Sequence, residues 1–303
     1  MRMDKFVLTV VTGIIVGCGG GREVIVFHAG SLSVPFKRLG DEFRRRTGVR
    51  VVCEASGSRL AARKVVQLGR RADVVAVSDY TVIEDLMMPE HAEWYAIFAT
   101  NEMVVALSPK FKGEMGTDDW YEVLLRPEVS FGRGDEEIDP CGYRTLMVWQ
   151  LAESYYGVPG LAERLSKACP RENIRPNSEA PLPLLETGDL DCAFLYLSVA
   201  LQHKLRFVKL PPQVNLGDPS SEDLYSRASV EIEGKRPGER IVKRGRPIAY
   251  ALTVPKDPPH PELALKFVKF VLSEDGAGIV RGCGQVPLDP PRFEGDVPPK
   301  LRR

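Results

Sequence analysis

Residues 24–48 read VIVFHAGSLSVPFKRLGDEFRRRTG, and the order of residue types in this stretch decides the fold. Val24 to Phe27 is an apolar run too brief for a helix, followed by the turn His28-Ala29-Gly30-Ser31. Such a run is the mark of a parallel strand buried on both faces. Ser33 then offers an N-cap with Pro35 in the first turn, Phe36, Leu39 and Phe43 recur at helical spacing, and Gly48 stops the helix. The same order continues downstream. Val49 to Glu54 reads as a strand, Ala55-Ser56-Gly57-Ser58 as a small-residue loop and Leu60 to Leu68 as a helix; Asp73 to Val77 is the next strand, leading through Ser78-Asp79 into a helix over Tyr80 to Met88. Strands alternating with helices of this length predict β-α-β units and a parallel sheet with helices on both faces, the α/β class.

The second half keeps this style. A helix is expected at Trp120 to Leu125 behind an Asp119/Glu122 capping box, then a strand at Val129 to Gly132 and a long amphipathic helix through Leu146, Trp149 and Tyr156. A strand at Cys192 to Tyr196, a charged hairpin over Val230 to Arg244 and a closing helix at Pro261 to Leu272 follow. Two extended segments, Phe98 to Leu107 and Pro247 to Val254, read as crossings between two lobes. The lobes are then discontinuous: residues 23–103 with 248–303 form the first and 104–247 the second, with a hinged cleft between them that favours closure on a ligand.

Composition sets the outer bounds. With 303 residues, 44% hydrophobic and 27% charged, the chain is a soluble globular protein of about two domains, which excludes disordered, collagenous and multi-span membrane classes. Its 41 basic and 41 acidic side chains cancel, removing the electrostatic footprint of nucleic-acid binding. The local run Lys235, Arg236, Lys243, Arg244 and Arg246 reads as a solvated hairpin face. At the start, Arg2 and Lys5 precede an apolar run from Phe6 to Val16, too short to span a bilayer, so residues 1–22 read as an export signal with a glycine-rich linker. Ile15-Val16-Gly17-Cys18 looks like a lipobox that would place lipid on Cys18; an uncleaved anchor is the other reading. Five cysteines remain, an odd number without a C-x-x-C, and buried free thiols are expected rather than a zinc site.

Three loops fall where β-α units place ligands: Ala29-Gly30-Ser31, Ser56-Gly57-Ser58 and Asp139-Pro140-Cys141-Gly142. Backbone N–H groups at helix starts, joined by serine hydroxyls, make an anion site without a positive side chain. No phosphate loop, nucleophile elbow or dinucleotide fingerprint is present. His28 beside Ser31 could be drawn as base and nucleophile, but it has no specific acidic partner, and a satisfied loop histidine is the better reading.

At these loops the text resembles a known family. Val26-Phe27-His28-Ala29-Gly30-Ser31-Leu32, the stretch from Arg63 to Tyr80, Trp94 to Val105, Asp139-Pro140-Cys141-Gly142-Tyr143-Arg144, Leu185 to Asp191, and Tyr196 are similar to the tungstate/molybdate-binding proteins of archaeal ABC transporters. The resemblance runs from about Val24 to Pro291. It implies a type II periplasmic-binding-protein fold, with two α/β lobes and a ligand cleft between them, that hands an oxyanion to a permease. It implies no catalysis and no cofactor beyond the tungstate or molybdate ligand, permease and ATPase subunits as partners, a lipid-anchored or secreted location outside the cytoplasmic membrane, and a monomer. Carried over residue by residue, Ser31, Ser58, Cys141 through its backbone, and Tyr196 would hold the oxygens, and Asp139 would reach the metal. The family's second carboxylate falls by count on Ser178, with Glu179 one place later among Pro176, Pro181 and Pro183; Glu179 is the candidate second metal ligand. Another anion in the same fold, such as sulfate or phosphate, is the first rival; a cytoplasmic two-lobed enzyme and a receptor-docked sensor are the others.

Overall fold

In the computed structural model, which describes residues 23–301, the first three predicted strands form the heart of one sheet. β1 (Glu23–Ala29) lies between parallel neighbours β2 (Arg50–Ser56) and β3 (Val74–Val77), with α1 (Ser33–Thr47) and α2 (Ser58–Val66) as the crossovers. Phe36, Leu39 and Phe43 of α1 are buried, and Phe43 meets Phe267 edge-on at 5.1 Å. Gly48 ends α1 at φ 73°, a left-handed turn that glycine makes without steric penalty. β4 (Trp94–Thr100) joins the same sheet, and after only Asn101 and Glu102 the chain enters β5 (Met103–Leu107) of a second sheet.

That second lobe contains α3 (Trp120–Leu124), β6 (Phe131–Gly134), α4 (Pro140–Tyr156), α5 (Leu161–Ala168), β7 (Ile174–Arg175), α6 (Leu182–Thr187), β8 (Cys192–Tyr196), α7 (Leu197–Gln202) and β9 (Arg206–Lys209). Its sheet runs β7-β6-β8-β5-β9. α8 (Glu222–Tyr225) leads to the hairpin β10 (Ser229–Glu233) and β11 (Arg240–Arg244). The chain then returns through β12 (Ala249–Thr253), α9 (Pro261–Val271), α10 (Glu274–Arg281) and β13 (Val286–Gly295), which completes the first sheet as β13-β4-β12-β3-β1-β2. This is the two-lobed α/β architecture of the type II binding proteins. The export segment, including Cys18, lies outside the described residues.

Several local expectations are corrected. Ser33 is the first helical residue and not the N-cap, because a 3-10 turn at Gly30–Leu32 advances the entry and turns the Ser33 hydroxyl back onto the Gly30 carbonyl at 2.7 Å. Asp119 does not form the capping box; its Oδ1 accepts from the Gly116 N–H at 2.6 Å instead. The helix expected over 80–88 is a wide turn whose π segment spans Ile83–Met87, closed by the Met88 N–H on the Ile83 carbonyl at 2.9 Å; Pro89 has no N–H with which to continue it. No strand is expected over Val286–Gly295 from the sequence, yet this proline-containing segment forms β13, tolerated because it is an edge strand with an irregular register between Pro287 and Arg292. The basic hairpin face is only partly solvated: Lys243 is buried and bonds Asp85 at 2.6 Å and Thr81 at 2.5 Å, tying the hairpin to the first lobe. Among the described cysteines, four are buried and Cys53 is exposed, all as free thiols.

Candidate functional site

The site is assembled where the carboxyl ends of β1, β2 and β3 face the start of α4. Ser31 lies in the tight turn after β1, fully buried, and its Oγ accepts from the Tyr250 hydroxyl at 3.0 Å. Tyr250 accepts in turn from Asn101 Nδ2 at 3.1 Å, so Ser31 is connected to the point where the chain changes sheets. Ser58 opens α2; its Oγ accepts from the Ser78 N–H at 3.0 Å and lies 3.0 Å from the Ser78 hydroxyl. Ser78 Oγ is 3.3 Å from the hydroxyl of Tyr196, at the end of β8. Ser58 and Ser78 of the first lobe and Tyr196 of the second therefore share one hydrogen-bonded chain.

Arg144 of α4 organises that chain. Its Nη1 donates to the Ser78 carbonyl at 2.7 Å and to the Tyr196 hydroxyl at 2.8 Å, and its Nη2 is 3.2 Å from Asp79 Oδ2. The Tyr143 hydroxyl donates to the same Asp79 oxygen at 2.6 Å. Burial alone would raise the Asp79 pKa, but Arg144 and Lys243, together with the Tyr143 and Thr81 hydroxyls, hold it below the usual carboxylate range. A cation and an anion from opposite lobes are thus paired out of water.

Asp139 behaves differently. It is the N-cap of α4, and its Oδ1 accepts the Cys141 N–H at 2.8 Å, with Pro140 at the first helical position. Its Oδ2 is buried with no hydrogen-bond partner among the described residues. Burial, opposed by the Cys141 and Ser178 amides, pushes its pKa up to about 7. The Cys141 N–H is thus directed at Asp139, while the Cys141 thiol is 3.6 Å from the Phe194 carbonyl.

Glu179 sits on the loop between β7 and α6, where Asn177 Oδ1 accepts the N–H groups of Glu179 and Ala180 at 2.9 and 3.0 Å. Its Oε2 is 2.7 Å from the Ser33 hydroxyl of the first lobe and shares that hydroxyl's single proton with the Gly30 carbonyl. The lobes also meet by backbone: the Ile138 carbonyl accepts the Arg59 and Leu60 N–H groups at 3.1 and 3.4 Å. A Cβ on Gly57 would stand 2.3 Å from that carbonyl oxygen, so only glycine permits the approach.

Ser31, Ser58, Asp139 and Tyr196 are all buried along this seam, with Glu179 half-buried at its edge. Sequence reading missed Ser78, Asp79, Tyr143, Arg144 and Tyr250 as site residues. Ser78 had a usable signal, being a third hydroxyl at the carboxyl end of a strand. His28 is a strand residue and not a loop one: its ring stacks on Phe36 at 5.5 Å, its Nδ1 is 2.8 Å from the Ala29 carbonyl, and burial lowers its pKa to about 4, leaving it neutral. No carboxylate orients it as a base.

A pair of α/β lobes meeting along a buried seam of hydroxyls, amides and a carboxylate oxygen unpartnered among the described residues defines a solute-binding protein. The chain belongs to the bacterial extracellular solute-binding proteins, a family that matches residues 24–284. It is 42% identical over 341 aligned residues to the molybdate/tungstate-binding protein WtpA of Pyrococcus abyssi, covering 100% of this chain and 98% of that one. It is 41% identical over 308 residues to the protein of the same name from Thermococcus kodakarensis, covering 92% and 86%. An uncharacterized solute-binding protein of Petrotoga mobilis is 48% identical over 272 residues, covering 89% and 85%. Among solved structures, the periplasmic molybdate-binding protein of Azotobacter vinelandii aligns with TM-score 0.62 at 16% identity, covering 87% and 98%. The sulfate-binding protein SubI of Mycobacterium tuberculosis aligns with TM-score 0.62 at 14% identity, covering 88% of each chain. At such identities these two show the fold and leave the ligand open.

Proposed function

We propose that this chain captures tungstate and molybdate outside the cytoplasmic membrane and delivers them to an ABC permease driven by its ATPase subunits, with no catalysis of its own. The names of the two relatives 42% and 41% identical support that ligand class, and one observation carries it: Asp139, buried between the lobes, has an oxygen without a hydrogen-bond partner among the described residues. A carboxylate beside an oxyanion is unfavourable by charge alone. Tungsten(VI) and molybdenum(VI) change that balance, because they widen their coordination from four oxygens by accepting a carboxylate electron pair, which sulfur in sulfate does not readily do. Asp139 would therefore favour the metal oxyanions and reject sulfate.

In this reading Ser31, Ser58 and Tyr196 hold the guest's oxygens, with the amide edge at Cys141 behind them and Asp139 on the metal. Glu179 reaches the metal from the rim, steadied by Ser33. Closure turns on Asn101–Glu102 and the return crossing before β12, and the buried Arg144–Asp79 pair fixes the closed arrangement. Cys18 carries lipid, which anchors a monomer at the outer face of the membrane. Calorimetric titration with sodium tungstate, molybdate and sulfate tests this: tungstate and molybdate bind far more tightly than sulfate, and comparable sulfate affinity would overturn the reading.

A further inference from the structure

Among the described residues, Asp139 Oδ2, Ser178 Oγ and Ser56 Oγ are buried side-chain oxygens of the seam without a hydrogen-bond partner. Buried hydroxyls are ordinarily satisfied, and each exception calls for an explanation. These three belong to one neighbourhood. Ser178 is 1% exposed, and its backbone N–H faces the Asp139 carboxylate. Both of its chain neighbours touch the turn that carries Ser31: the Glu179 carboxylate is 2.7 Å from the Ser33 hydroxyl, and a Cβ on Gly30 would stand 3.0 Å from Asn177 Oδ1. Ser56 ends β2 directly beside Ala29 in register, and a Cβ on the adjoining Gly57 would stand 3.0 Å from the Pro176 carbonyl oxygen.

We infer that Ser178 is a ligand-contacting residue that adds affinity without discriminating between tetrahedral anions, its hydroxyl donating to an oxygen of the bound anion next to Asp139, with Ser56 as its counterpart on the first lobe. This rests on the oxyanion reading above and deepens it. The second lobe then presents a carboxylate for the central atom and, one contact away, a neutral donor for an oxygen. A serine at this place can donate to any tetrahedral oxyanion, so it adds affinity for tungstate and sulfate alike and leaves discrimination to Asp139. Removing the Ser178 hydroxyl should therefore weaken both ligands in parallel.

The experiment is calorimetric titration of wild type, Ser178→Ala and Ser56→Ala with sodium tungstate and sodium sulfate, alongside the melting temperature of each ligand-free protein. A hydroxyl without a partner contributes nothing to the ligand-free fold, so the melting temperature of Ser178→Ala should equal or exceed that of wild type. Its tungstate affinity should fall roughly 10- to 100-fold, the range for a hydrogen bond to a charged acceptor, with the tungstate-to-sulfate ratio kept. Ser56→Ala should behave likewise with a smaller loss. Unchanged tungstate affinity in Ser178→Ala, or a loss accompanied by a lower ligand-free melting temperature, overturns this inference alone. A wild type that binds no tungstate overturns the functional reading beneath it.

Discussion

The interiors of the two lobes and the seam between them are both out of water, yet they are built on opposite rules. The lobe interiors are dominated by interlocking apolar rings: Phe36, Phe43 and Phe267 in the first, and Trp120, Phe131, Trp149 and Phe194 in the second, where the Trp149 indole N–H is a buried polar group without a partner among the described residues. The seam instead buries the guanidinium groups of Arg59 and Arg144, two aspartates and several hydroxyls, and it leaves Asp139 Oδ2 unsatisfied among the described residues. The interiors hold each lobe together whether or not a guest is present. The seam carries bonding capacity that the protein alone does not use, and that capacity is what a guest can draw on.

Replacing Arg144 should disturb the seam most. Arg144→Met leaves Asp79 buried without its main cation, so urea unfolding should show a loss of about 3–5 kcal/mol, with tungstate affinity reduced as well. Phe43→Ala should destabilise by a similar 3–5 kcal/mol through its cavity, yet leave affinity unchanged at temperatures where the protein is folded. If both variants lost affinity equally, the distinction between interior and seam would fail.

Asp139→Asn sharpens the contrast. The carboxyl, with its pKa at about 7, binds a proton more readily folded than unfolded, so ionising it costs the ligand-free fold stability as pH rises from the ordinary carboxylate range through 7. The variant should melt above wild type at pH 8, with the gap narrowing as pH falls towards 4, while its tungstate affinity drops by about 100-fold or more. Differential scanning calorimetry across that range reads the first effect and titration the second. A smaller effect of opposite sign belongs to His28 in the lobe interior, where the pKa is lowered to about 4. Its contribution is complete above pH 6.5 and is lost as pH falls from there towards 4, by at most about 3 kcal/mol, and His28→Gln should flatten that part of the stability profile.

Much of the first lobe was legible because local pattern and tertiary role coincide there. An apolar run, a small loop and a 3.6-period helix say β-α-β before any contact is known, and the same loops necessarily hold Ser31 and Ser58. Asp139 was legible as the first residue of a ligand-placing loop and as part of a resemblance. Arg144, Tyr143 and Tyr250 were not, because their partners are 52 to 219 positions away in sequence and nothing local distinguishes a buried cation from a helical surface one. Lys243 misled for the same reason, since a basic hairpin is usually solvated and only the opposite lobe makes it an ion-pair partner. β13 escaped because prolines argue against a central strand and leave an edge strand open.

In the proposed function Asp139 meets the metal of a bound oxyanion inside the seam. Crystals grown with sodium tungstate, with the heavy atom located from its anomalous signal, provide the decisive test. Tungsten is expected between Ser31, Ser58 and Tyr196, with Asp139 Oδ2 in its coordination shell. Tungsten elsewhere on the protein, or in the seam with only hydroxyl and amide contacts and the Asp139 carboxylate turned away, would contradict that role for Asp139.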